Sequence, residues 1–145
     1  MKSYTFLFLA ACSIVMTGCN DNNGFTPINQ GESLDIGPEC RMGMCTWTKI
    51  KSIDVSSVDK DTVSVKVKNF YFSAAEENVK PTVWHDGAES LLTCSKTKPA
   101  YDGIDLDIKR GQPTSGAELS AVQTYFAVCH SFKGDVEKAK VKFDY

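Results

Sequence analysis

Two short stretches carry the side chains that could do chemistry. Cys129-His130 sets a thiol beside an imidazole, and Trp84-His85-Asp86 sets a base beside a carboxylate. His85 and His130 are the only two histidines of the 145-residue chain. Neighbours on a strand point to opposite faces, so His85 and Asp86 are poorly placed to cooperate. A cysteine held in a disulfide cannot attack, and adjacency in sequence is not adjacency in space, so Cys129-His130 makes a weak nucleophile pair. The chain has no G-x-S-x-G, no phosphate-binding glycine loop and no H-E-x-x-H. No residue is assigned a catalytic, cofactor-binding or metal-binding role, and the protein reads as non-enzymatic.

The cysteines carry more information. Six are present, at 12, 19, 40, 45, 94 and 129. Cys40-Arg41-Met42-Gly43-Met44-Cys45 has a four-residue spacer, which fits neither the two-residue spacing of redox motifs nor, alone, a zinc knuckle. No C-x-x-C-H is present for covalent haem. Four thiolates from Cys40, Cys45, Cys94 and Cys129 could hold zinc only if reduced. They allow three disulfide pairings, of which we favour Cys40 with Cys45 as a local staple and Cys94 with Cys129 as the long bridge.

The redox setting depends on the first residues. Lys2 and an apolar run from Tyr4 to Met16 follow the order of an export signal, and about 13 residues are too few to cross a bilayer core of roughly 30 Å. The run ends at Met16-Thr17-Gly18-Cys19, which resembles the lipobox of bacterial lipoproteins with Met in place of the commoner Leu. The resemblance implies removal of residues 1–18 and acylation of Cys19 on its sulfur and its new amino terminus. Leu9-Ala10-Ala11-Cys12 fits the same pattern, but using it would leave Cys19 as a fifth, unpaired thiol among four that can pair. An ordinary secretory leader cut elsewhere is the remaining reading. Several acyl chains anchor a protein stably where one does not. Asn20 after the cysteine, by resemblance to the enteric sorting rule, points to the outer membrane rather than the inner one.

Removing 1–18 leaves 127 residues, one domain's worth. Its charge, 15 Lys+Arg against 18 Asp+Glu, is about minus three once Lys2 has left. So weak an acidic balance offers no basic face for nucleic acid. Residues 19–38, rich in Asn, Gly and Pro, read as a lipidated start and a flexible tether of roughly 20 to 25 Å reach. Residues 39–145 read as a single disulfide-containing globular domain.

Within it, valines at every second place of Asp61 to Lys68 predict a strand with one apolar face. The phase passes to Phe70 and Phe72 after Asn69, which suggests a bulge there. Alternation in Ile104 to Ile108 and in Ala139 to Tyr145 predicts further strands. Shorter candidates are Cys45 to Ile53, Thr82 to His85 and Leu91 to Ser95, with turns at Asp86-Gly87 and Asp102-Gly103. Ser115-Gly116-Ala117-Glu118 reads as a capping box opening a helix whose stripe is Leu119, Val122, Phe126 and Cys129. The fold class expected is α+β: an antiparallel sheet of about five to seven strands with one helix near the C-terminal end, all-β being the alternative.

Asp102, Asp105 and Asp107 could pair carboxylates at a calcium site, or be the wet face of a strand. Lys138, Lys140 and Lys142 would line one face of the last strand, guarding an edge or greeting an acidic partner. Trp47, Phe70, Tyr71, Phe72, Trp84 and Tyr101 exceed what one sheet face buries comfortably; core packing is the first reading for most of them, and an aromatic contact surface is the alternative. The segment from Cys94 to His130, CSKTKPAYDG then TYFAVCHSF, is similar to a pattern in small exported proteins of proteobacteria. That resemblance implies a shared fold and the Cys94 to Cys129 bridge, and no activity. The function expected is a membrane-anchored envelope lipoprotein that binds one protein partner, of inhibitor or immunity type; a structural accessory of an envelope assembly is the alternative.

Overall fold

The computed structural model describes residues 24–145. Cys19 and the leader lie outside the described residues. Six antiparallel strands pair in sequence order: β1 (Ser33–Arg41), β2 (Met44–Asp59), β3 (Thr62–Ala74), β4 (His85–Ser95), β5 (Ala100–Tyr101) and β6 (Ile104–Asp105). Two helices follow, α1 (Ala117–His130) and α2 (Val136–Phe143). The sheet curls into half a barrel, giving a mostly-sheet α+β fold.

The valine alternation sets the inner face. Val63, Val65 and Val67 are buried, and register places Cys94 against Val63 and Leu92 against Val65 on the same side. Val122, Phe126 and Cys129 of the expected α1 stripe are buried within the core that includes these residues, and Leu119, its first member, packs against that core only partly buried. Each fully buried Val, Leu or Phe contributes about 1.5 to 3 kcal/mol of transfer free energy, so this helix-on-sheet contact dominates the stability.

The change of phase at Asn69 has a different cause from the one expected. From Lys68 to Phe70, β3 advances two residues while β4 runs three, from Glu89 to Asp86. The inserted residue therefore sits in β4, at Gly87-Ala88. A Cβ on Gly87 would lie 2.9 Å from the Asn69 carbonyl oxygen, which is why glycine stands there. Asp86-Gly87 is thus a bulge inside a strand, not a turn, and Thr82 to Trp84 precede the strand. β3 keeps its alternation, so Phe70 and Phe72 face outward, where Phe72 packs on Trp47 with ring centroids 5.5 Å apart. The aromatic surplus is divided between two faces, with Tyr71 and Tyr101 on the inner one.

Other expectations are corrected. Ala139 to Tyr145 is not a strand: α2 buries Val136, Ala139 and Lys140, and Asp135 caps it by accepting the Lys138 N–H at 2.9 Å. Only Ile104 and Asp105 of the 104–108 alternation pair as a strand, although Leu106 and Ile108 remain buried. The capping box does not form, because Gly116 is the N-cap of α1 and no side chain caps it. The presumed tether is part of the fold from Phe25 onward. The Thr26 and Ile28 N–H groups donate to the Cys129 and Val128 carbonyls at 3.0 Å each, and Ile28 is buried in the core. Sparse apolar residues suffice there because they pack on the C-terminal end of α1 rather than on one another.

Candidate functional site

Helix α1 covers only part of the inner face. Toward the β1–β2 hairpin it stands clear of the sheet and leaves a groove of about 360 Å³. Its floor is built by register: Ile36 lies opposite Thr48, Glu39 opposite Thr46 and Arg41 opposite Met44, all on the inner face. Its wall is one side of α1, where Ser120, Gln123 and Thr124 follow at helical spacing. Arg41 closes one end, with Nη2 donating to the Gly116 carbonyl at 3.0 Å and pairing with Glu39 at 2.9 Å. Gly37 lets β1 come this close, since a Cβ there would meet the Thr46 carbonyl oxygen at 2.8 Å. Beyond Thr48 the face continues to Tyr71, half-exposed, whose ring centroid lies 5.3 Å from that of His85.

The hairpin projects from this groove. Cys40 and Cys45 are register partners joined by a two-residue turn, Met42-Gly43, with φ of 49° and 78°. Positive φ at both central residues is the turn whose twist matches the flanking strands. The two sulfurs are at disulfide distance, 2.00 Å. Met42 at the tip is fully exposed and Met44 half so. Sequence reasoning singled out the cysteines and passed over the methionines; the available signal was an apolar side chain beside glycine inside a hairpin-length spacer.

Cys94 and Cys129 are fully buried with sulfurs 2.03 Å apart, tying β4 to α1. His130, next in sequence, is 5 % exposed and belongs to a chain of hydrogen bonds rather than to a nucleophile. Its Nε2 is 3.0 Å from the Tyr145 hydroxyl, which is 2.7 Å from the Tyr125 hydroxyl, which donates to the Ser95 carbonyl at 3.0 Å. Nδ1 of His130 has no partner. A bare lone pair there is cheaper to bury than an unpartnered N–H, so the proton belongs on Nε2 and the chain runs one way, from His130 through Tyr145 and Tyr125 to Ser95. Burial, and then the nearby Lys96 charge, push His130 down to about 4, which makes it neutral at pH 7. Burial pushes Tyr125 up to about 12 and Tyr145 higher still. Phe143 stacks on the imidazole at 4.1 Å. The ensemble is a core, closed to substrate.

His85 and Asp86 stand on opposite faces, paired with Tyr71 and Phe70 respectively. The three aspartates do not converge: Asp102 accepts the Leu91 N–H at 2.7 Å as a turn residue, and Asp107 pairs with Lys109 at 2.8 Å. Among the described residues no three His, Cys, Asp or Glu side chains are grouped to hold a metal. The lysine row is broken up by the helix. Lys138 and Lys142 are exposed, whereas Lys140 is 1 % exposed and donates to the Gln112 carbonyl at 2.6 Å and to Glu137 at 2.9 Å. On the outer face Lys49 lies over the Trp84 ring at 4.5 Å. No helix among the described residues is long and apolar enough to cross a membrane. Comparison with known proteins finds no family, no curated protein and no solved structure that matches this chain.

Proposed function

We propose that this protein is a lipoprotein of the cell envelope, anchored through acylated Cys19, that binds a protein partner with the β1–β2 hairpin as an inhibitor or immunity factor does. The observation that carries the reading is the clamped tip: a fully exposed Met42 on a tight turn between Cys40 and Cys45. Exposing methionine costs solubility, and a rigid loop loses little entropy on docking, so a preformed apolar tip suits insertion into a partner's cleft. Two cysteine pairs at disulfide distance suit an oxidising compartment outside the inner membrane.

A photo-crosslinking residue at position 42 in intact cells tests the reading. One soluble enzyme captured at one-to-one stoichiometry supports an inhibitor. An oligomeric membrane complex turns the reading into that of a structural accessory. No capture above that from position 141, exposed on α2, removes the hairpin as the binding surface. Fatty-acid labelling that persists in Cys19→Ser removes the anchor.

A further inference from the structure

We propose that the groove between the β1–β2 hairpin and α1 binds a neutral saccharide. Charge excludes an ionic ligand first: Arg41 is matched by Glu39 at 2.9 Å and also holds the Gly116 carbonyl, so no uncompensated charge faces the groove. Chemistry then narrows the class. Thr48, Ser120 and Gln123 each offer both a donor and an acceptor, and Thr46 adds a hydroxyl that it shares with Ser73 at 3.2 Å. A wholly apolar ligand would strip water from these groups without replacing their bonds, whereas a sugar ring exchanges hydroxyls bond for bond and can lay its C–H face on Ile36 and Met44, which also line the groove.

An aromatic ring stands next to the groove, on the same face but outside its lining. Tyr71 is register partner to Thr48, on the same face and half-exposed, and its contact with His85 at 5.3 Å steadies it. A saccharide longer than the groove would lay the apolar C–H face of its next ring on Tyr71 while the ring inside meets the strand and the helix. The volume, about 360 Å³, falls in the lower part of the range for small-molecule sites. Both walls are held in advance, the hairpin by Cys40–Cys45 and the helix by Cys94–Cys129, so binding need not order them. The saccharide site stops short of Met42, although Arg41 and Met44 on either side of the turn line it.

Two neutral probes, N,N′,N″-triacetylchitotriose and cellotriose, titrated into the full chain while backbone amide shifts are followed, decide the matter. The expected result is saturable shifts at Thr46, Thr48 and Gln123 with at least one probe, weakened about fivefold by Thr48→Val, which keeps the strand's shape and removes one hydroxyl. If that variant unfolds, Ser120→Ala on the exposed side of α1 gives the same reading. Absence of saturable shifts with either probe up to about 10 mM overturns the proposal, as do shifts confined to the outer face around Trp47 and Trp84. Met42→Asp must leave saccharide affinity unchanged; if that variant loses partner capture and keeps the sugar, the two sites are distinct.

Discussion

His130 and Tyr145 share a hydrogen bond of 3.0 Å that fixes the direction of the buried chain ending at Ser95. Its energetic consequence is a dependence of stability on acid. The folded pKa of His130, about 4, lies below the ordinary value of 6.5, so between the two the unfolded chain binds the extra proton. Stability is therefore fully present above pH 6.5 and falls as pH drops toward 4, by on the order of 2 to 3 kcal/mol. Urea unfolding of the wild type and His130→Gln from pH 7 to 4 should show a shallower decline in the variant across that window.

The Cys94–Cys129 bridge closes 36 residues and the Cys40–Cys45 bridge closes six. Chain-entropy reasoning assigns about 4 kcal/mol to the first and about 2 to the second. Against a total of roughly 5 to 15 kcal/mol, Cys94→Ala with Cys129→Ala should come close to unfolding the domain. Cys40→Ala with Cys45→Ala should leave it folded with a lower melting temperature, as thermal circular dichroism can read.

The clamped turn makes a claim about rates. Freeing the tip by removing Cys40 and Cys45 should weaken partner binding about tenfold or more even where the domain stays folded, because the loop must then be ordered on docking. Met42→Asp should weaken it further with almost no change in melting temperature, since the side chain touches nothing in the free protein. Surface plasmon resonance against the captured partner separates the two effects.

Lys140 and Lys142, two residues apart, should behave oppositely. Lys140→Ala strips the Gln112 carbonyl and Glu137 of a buried ammonium and should cost roughly 2 to 3 kcal/mol. Lys142→Ala, on the exposed side, should cost under about 0.5 kcal/mol. Denaturant midpoints measured at neutral pH provide the comparison.

These opposed lysines also mark where the chain could be read and where it could not. Val63, Val65 and Val67 announce a strand because a half-buried sheet requires period two, and the Val122, Phe126 and Cys129 stripe announces α1 for the corresponding helical reason. Ala139 to Tyr145 satisfies period two as well, yet Val136, Ala139, Lys140 and Phe143 satisfy the helix spacing, and a buried lysine disguised the apolar side. Gly87 read as a turn because a bulge and a turn both need a residue without a side chain. The groove was invisible, since Thr46, Ser120 and Gln123 are unremarkable polar residues until register and helix placement bring them together. Phe25 and Ile28 were too few to announce a packed segment.

Under the proposed anchoring at Cys19, that packed segment bears on how the body would sit on a bilayer. Five residues, 20–24, separate Cys19 from Phe25, a span of at most about 22 Å when drawn straight. The chain joins α1 at its last turn, through Thr26 and Cys129, while Arg41 meets the first turn at Gly116, a helix length of about 20 Å away. An acylated Cys19 would therefore keep the His130 end within that reach of the lipid headgroups, and leave the Arg41 and Met42 end free to stand farther out.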